Sequence, residues 1–381
     1  MRKIDRKKII SQVKRVVVKI GSSVLTNDYG ELSEGTFDDI ASEVSAIKSM
    51  GVDTVVVSSG AIASGMKKLN LKEKPQEISF KQAIAACGQS SLMWYYEKAF
   101  SAFGEKVAQI LLTHDGLSER KRFLNARKTL LTLLRMGIIP VVNENDTVAV
   151  EEIMFGDNDS LAALVTSLIE ADLLILLTNI DGLYTDDPRN HREAEFIPVI
   201  EEIDREIQQM ARDTLGKTTT GGMKTKIEAA KAAAAFGVPT IIANGKRSST
   251  LSNIFAGKEL GTLFLPARER LKGRKHWIAF TLKPSGDLVI DKGAKRAITG
   301  LGKSLLPSGI KEVHGKFDLG ESVRCIDENG VEIARGLTSY SSNEIKRILG
   351  AKTTDIERIL GYKYSDEIIH RDDLVLIVSK G

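Results

Sequence analysis

The segment Thr220-Gly221-Gly222-Met223-Lys224-Thr225-Lys226 carries the clearest chemical signal in the chain. Two glycines stand ahead of an alanine-rich run, residues 227–236, that reads as a helix. Backbone N–H groups at such a helix mouth can approach an anion closely, and the helix dipole favours negative charge there. Lys224 and Lys226 add positive charge in a first turn where helix stability alone would favour acids. By themselves these residues fit either a phosphate cradle or a glycine turn with solvated lysines.

Other short segments share one setting, each following an apolar, strand-like run. Lys19 closes such a run and is followed by Gly21-Ser22-Ser23, a glycine and hydroxyls suited to phosphate oxygens. Ser58-Ser59-Gly60-Ala61 precedes a helical stretch over 62–69. Its backbone N–H groups could hold a carboxylate or phosphate, or simply make a tight strand-to-helix turn. Asn143-Glu144-Asn145-Asp146 and Gly156-Asp157-Asn158-Asp159 form two polar loops close together in sequence. Asp159 also lies at the mouth of a helix expected over 161–169, where it could act as a cap. Together the two loops could hold an ammonium group and orient lysines. Thr178-Asn179 follows another apolar run.

The elements that must position these residues alternate from residue 15 to 265. Strand-like runs at 16–20, 54–57, 107–112, 138–142, 173–177 and 240–243 alternate with helical spacing at 37–51, 81–103, 123–135, 161–169, 224–236 and 251–255. Strands apolar throughout and separated by helices predict a mainly parallel α/β sheet sandwiched by helices. Ligands bind beyond the carboxyl ends of such strands, so the polar segments should gather on one sheet edge. After Pro266 the texture changes. Short strands at 277–282, 287–290, 310–313, 322–325 and 374–378 are separated by turn signals, with Asn329-Gly330 marking a hairpin. The expected division is a first domain over 1–267 and a small, mostly β domain over 275–381.

With 381 residues, 42% hydrophobic and 27% charged, the chain reads as an ordinary globular protein of two domains. Its net charge of +4 does not make a polyanion binder. Cys87 and Cys325 are far apart in apolar surroundings, which fits a reducing cytoplasm rather than a disulfide framework. The apolar run 16–20 is too short for a signal-peptide core, and no run approaches a membrane helix. Gly302-Lys303-Ser304 mimics the end of a phosphate-binding loop but has Ala297 where that loop needs glycine. His370-Arg371-Asp372 mimics a kinase catalytic loop, yet Ile377 stands where an asparagine should follow. The five histidines are scattered, which argues against zinc.

Taken in order, these segments resemble the amino acid kinase family, and within it the kinases that phosphorylate glutamate. The resemblance runs through Val16-Val-Val-Lys-Ile-Gly-Ser-Ser-Val-Leu-Thr26, Ser58-Ser-Gly-Ala-Ile-Ala63, Phe123-Leu-Asn-Ala-Arg127 and Asn143-Glu-Asn-Asp-Thr-Val-Ala149. It continues through Gly156-Asp-Asn-Asp159, Gly182-Leu-Tyr-Thr185 and Thr220–Lys226. The region beyond 275 resembles a PUA domain in Ser304-Leu-Leu-Pro-Ser-Gly-Ile310 and Ile333-Ala-Arg-Gly-Leu337. Each motif alone is weak; their order and spacing are specific, and nearly the whole chain is covered.

The resemblance implies ATP-dependent, Mg²⁺-assisted phosphorylation of the γ-carboxylate of L-glutamate, the first step towards proline. Carried over by position, Lys19 and Lys226 resemble lysines that contact the transferred phosphoryl group, and Asp159 the aspartate that organises them. Ser59, Gly60, Ala61, Asp146 and Asn158 match the glutamate site. Lys19, Thr178, Asn179, Thr220, Gly221, Gly222, Met223, Lys224, Thr225 and Lys226 match the nucleotide site; Asn179 stands where some relatives carry an acid. The resemblance further implies a homo-oligomer (dimer or tetramer) and feedback inhibition by proline, with a glutamyl phosphate reductase as a candidate partner; whether the acyl phosphate passes to it directly is left open by the sequence. Kinases of the same fold act on aspartate, acetylglutamate, carbamate or nucleoside monophosphates. Some PUA domains bind RNA, but base readout usually needs aromatic platforms and strong positive charge. The low charge here argues instead for a regulatory or structural second domain.

Overall fold

The structure, a computed structural model, describes residues 5–27, 29–73, 75–149, 158–188, 191, 193–213, 222–266, 278 and 282–377. The chain divides into two compact units, Met1–Arg270 and Leu271–Gly381. Among the described residues no helix is long and apolar enough to cross a membrane.

The first unit is built on an eight-stranded sheet. Its strands are β1 (Arg15–Ile20), β2 (Asp53–Ser58), β3 (Val107–Leu112), β4 (Ile139–Glu144) and β5 (Leu173–Thr178). A two-stranded ribbon, β6 (Leu183–Tyr184) with β7 (Phe196–Ile197), precedes β8 (Val199–Ile200), β9 (Thr240–Asn244) and β10 (Thr262–Phe264). The strand order is β3-β4-β2-β1-β5-β9-β10-β8. Every pairing is parallel except β9 with β10.

The central strands are buried on both faces because helices cover both. Val16, Val18 and Ile20 point to one layer, which holds the Glu34–Ser49, Ile78–Ser101 and Thr250–Phe255 helices. Val17 joins Val55, Val57, Leu174 and Leu176 on the other, against the Asp159–Leu168 and Met223–Ala235 helices. Side chains alternate along a strand, so Lys19 lies on the Val17 face, towards those two helices. Ala229, Ala230 and Ala233 are almost fully buried, and their small side chains let the two helices pack closely.

The expected elements of this unit are all present, with ends displaced by a few residues. Short pieces escaped the periodicity: the Arg6–Ile10, Ser22–Leu25 and His114–Ser118 helices, the Arg205–Asp213 helix, and β6, β7, β8 and β10. Helices of four or five residues and strands of two or three contain too little chain to show a period.

The second unit carries a five-stranded sheet of β11 (Gly286–Ile290), β12 (Ile310–Gly315), β13 (Ser322–Ile326), β14 (Glu332–Leu337) and β15 (Leu374–Leu376). Its order is β12-β11-β13-β14-β15. Most of the strand expected over 277–282 lies outside the described residues. The unit is mostly β as expected, and helices at Lys292–Leu301, Ser342–Arg347 and Ile356–Leu360 add to its strands. Two of them carry side-chain caps: the Asp291 side chain accepts from the Ala294 N–H at 2.6 Å, and Ser341 with Glu344 makes a full capping box.

Candidate active site

Asp159 is the first residue of the Asp159–Leu168 helix and is completely buried. It does not cap that helix; the N-cap position belongs to Asn158, whose side chain makes no capping bond. The carboxylate faces two ammonium groups instead. Lys19 Nζ lies 2.5 Å from Oδ1 and Lys226 Nζ 2.9 Å from Oδ2. Both lysines are nearly inaccessible, at 3% and 5% exposure, so these are buried ion pairs. Thr225 Oγ1 lies 3.1 Å from Oδ2 and 2.9 Å from the Gly222 carbonyl oxygen, joining the carboxylate to the start of the Met223–Ala235 helix.

Burial alone would push the Asp159 carboxyl up. The charges of Lys19 and Lys226, with their hydrogen bonds, outweigh it and hold the group well below the usual carboxylate range. It is therefore an anion with no proton to give or take. These three side chains carry a net charge of +1. A buried, net-positive cluster at the carboxyl end of β1 is a place for an anion.

Lys19 and Lys226 thus converge, whereas Lys224 does not. Lys224 is exposed, 3.8 Å from Glu228 one turn along the same helix. Gly222, the N-cap, is half-buried beside it and Met223 is buried. Thr220 and Gly221, like Gly156 and Asp157, lie outside the described residues. Thr178 is buried at the end of β5, with Oγ1 3.4 Å from Asn179 Oδ1, and Asn179 is exposed. Beyond the same sheet edge, Asn244 Nδ2 donates to Asp181 Oδ1 at 3.0 Å and Arg247 pairs with Asp181 Oδ2 at 2.5 Å. These three residues were not singled out from sequence; their position after β5 and β9 was the signal.

A second polar cluster sits beside the ends of β2 and β4. Asn158 Nδ2 donates to the Ser58 carbonyl oxygen at 2.6 Å and to Asn143 Oδ1 at 2.7 Å. Asn143 Oδ1 also accepts the Glu144 N–H at 2.9 Å, and Asn143 Nδ2 donates to Gln89 Oε1 at 2.8 Å. Ser58 Oγ lies 2.9 Å from the Ser59 carbonyl oxygen and 2.8 Å from the Tyr96 hydroxyl. If the single Ser58 proton goes to that carbonyl, the Tyr96 O–H is the donor to Ser58 Oγ. Burial pushes the Tyr96 phenol up, which keeps that donor protonated.

Ser59 is half-buried, and its N–H donates to the Ile20 carbonyl oxygen at 3.1 Å. Gly60 takes φ = +108°, a conformation open to glycine, as N-cap of the Ala61–Lys68 helix, where Ala61 is buried. Asp146 is half-buried in the turn after β4, where the Val148 and Ala149 N–H groups both bond the Asn145 carbonyl. The structure therefore draws Ser59, Gly60, Asn158 and the β4 turn to one edge of the sheet, with Lys19 at the end of the neighbouring strand β1.

Residues 14–244 match the profile described as the amino acid kinase family, and 286–360 match the PUA domain. The chain belongs to the amino acid kinase family. It is 55% identical to the glutamate 5-kinase of Geobacter sulfurreducens over 98% of this chain and 100% of that protein. It is 51% identical to the glutamate 5-kinase of Caldanaerobacter subterraneus subsp. tengcongensis, over 95% of this chain and 98% of that protein. Among solved structures, UMP kinase from Bacillus anthracis superposes with a TM-score of 0.47 at 15% identity, over 66% of this chain and 96% of its own.

Proposed function

We propose that this member of the amino acid kinase family transfers the terminal phosphoryl group of ATP to the γ-carboxylate of L-glutamate. The product is γ-glutamyl phosphate, and the reaction opens proline biosynthesis. The observation that carries the reading is the Lys19–Asp159–Lys226 cluster at the carboxyl edge of the parallel sheet. The glutamate 5-kinases matched over nearly the full chain support the choice of acceptor.

A glutamate side chain has an ordinary pKa near ~4.3, so at neutral pH it is already the nucleophile. No general base is required, and Asp159, locked as an anion between two cations, could not act as one. The barrier lies in bringing one anion up to another. Such catalysis consists of positioning and charge neutralisation. Lys19 from β1 and Lys226 from the helix start supply positive charge from two elements, and Asp159 fixes both ammonium groups through charge-assisted hydrogen bonds. Preorganised charge of this kind needs no rearrangement as the transferred group becomes more anionic.

Among the described residues no three of His, Cys, Asp and Glu cluster as a metal cage, and each Asp159 oxygen faces a lysine. Mg²⁺ enters this reading as a companion of ATP, held mainly by its phosphates, whose charge it would neutralise. Thr178, Asn179 and the 220–226 segment form the nucleotide side, and Ser59, Gly60, Ala61, Asp146 and Asn158 the glutamate side. The test is incubation with ATP, Mg²⁺ and candidate acceptors in hydroxylamine, which traps acyl phosphates as hydroxamates. Hydroxamate with glutamate, and not with aspartate or acetylglutamate, is the expected result. ADP release with a nucleoside monophosphate and none with glutamate would overturn it.

A further inference from the structure

We propose that Gln89 is a positioning residue for the amino-acid substrate, acting through Asn143 on Asn158 and on the end of β2. The inference rests on the glutamate-kinase reading above. It begins with a question of orientation, because the two ends of an amide side chain are told apart only by their partners. Here the main chain decides. Asn143 Oδ1 receives the Glu144 N–H, and Asn158 Nδ2 gives to the Ser58 carbonyl. A backbone N–H can only donate and a backbone C=O can only accept, so both asparagines are fixed. Asn143 Nδ2 must then face Gln89, which can receive it only on Oε1.

That fixes Gln89 as well, and leaves its Nε2 buried with no acceptor among the described residues. A buried donor without a partner is rare and calls for a reason. The reason we infer is the work of its oxygen. The chain Gln89–Asn143–Asn158–Ser58 spans a helix, two strand ends and a helix start, and it ends beside Ser59.

The host helix reinforces the argument. Gln82, Gln89 and Tyr96 are spaced by seven residues along Ile78–Ser101, close to two turns, and so share one face. Gln82 Nε2 donates to the Ala149 carbonyl oxygen at 3.0 Å, and Tyr96 bonds Ser58 Oγ. The three contacts hold the far end of the 145–149 turn, the end of β4 and the end of β2. Asp146 lies between two of these anchors, and Asn158 and Ser59 adjoin the others. One helix thus sets the spacing of the groups assigned to the substrate.

The experiment is steady-state kinetics of the full-length protein, glutamate and ATP varied separately, with Tm as a check on folding. Gln89→Met removes the oxygen at similar volume. Gln89→Glu keeps an oxygen for Asn143 Nδ2 in either protonation state. For Gln89→Met, the KM for glutamate should rise about tenfold or more, with kcat within about threefold and the KM for ATP unchanged. Gln89→Glu should stay within about threefold of the parent in every parameter. The proposal is overturned if Gln89→Met leaves the KM for glutamate unchanged, if it raises both KM values equally, or if Gln89→Glu is as impaired as Gln89→Met. A parent protein that does not turn over glutamate overturns the functional reading itself, and is recognised without any variant.

Discussion

Asp159 holds two lysines at once, and the consequences of removing each partner differ. In Lys19→Ala or Lys226→Ala, Asp159 keeps one cation, so the fold should survive. The stabilisation of the transferred group is lost, and kcat should fall by about 10²–10³ with little change in the KM for glutamate. Steady-state rates beside circular dichroism of the same samples check this; an effect confined to that KM contradicts the assignment. Asp159→Asn differs, because two buried ammonium ions are left facing a neutral amide. Breaking a buried pair in this way costs about 3–5 kcal/mol. The pH dependence follows from the depressed Asp159 pKa. Pairing contributes in full above the unfolded value, 3.8, and is lost as pH falls through the lower folded value. Urea midpoints of the parent should therefore drop below about pH 4, whereas Asp159→Asn, weaker at pH 7, should lack that component. A parallel acid profile in both proteins would contradict this.

At the scale of elements, the side proposed for glutamate depends on how closely the Ala61–Lys68 and Ile78–Ser101 helices approach. A Cβ on Gly88 would lie 1.9 Å from the Ala61 carbonyl oxygen, and one on Gly65 would lie 1.9 Å from the Ile84 carbonyl oxygen. Only glycine at both positions permits this contact. Gly88→Ala must push the helices apart just where the Ser59-Gly60-Ala61 turn begins. It should destabilise by about 1–3 kcal/mol and raise the KM for glutamate more than that for ATP; denaturant midpoints and kinetics measure the two effects. A normal glutamate KM in a folded Gly88→Ala protein would disconnect this packing from the site. The sequence made these helices visible, but not their contact. Periodicity marks a helix face without naming what it meets, so nothing in the sequence singles out Gly65 and Gly88 as a contact. Likewise nothing in the sequence singles out Gln82 and Gln89, since a polar side chain gives no sign of whether it bonds water or a strand end. Lys19 and the Gly222–Lys226 turn were legible for the opposite reason: a buried strand ending in lysine, and lysines in a first turn, both run against local preference.

At the scale of the whole molecule, the two units have separate cores. The apolar clusters around the eight-stranded sheet draw on residues up to Leu265, and those of the second unit on residues from Ile278 onward. The change of texture after Pro266 could be read from sequence because both sides changed at once, from long apolar runs to short ones. The Lys292–Leu301, Ser342–Arg347 and Ile356–Leu360 helices were hidden because each is ten residues or fewer and buries few side chains; the Lys292–Leu301 helix fully buries only Ile298. Every described residue assigned here to chemistry lies at or before Lys226, within the first unit. A chain ended after Pro266 therefore loses no member of the Lys19–Asp159–Lys226 cluster and no part of either core that supports it. Domains with their own cores fold alone. The shortened chain should unfold cooperatively and retain glutamate-dependent ADP release within about tenfold of the parent. Loss of activity in a cooperatively folded 1–266 protein would show that the second unit contributes directly to the reaction, and the assignment of all the chemistry to the first sheet would fail.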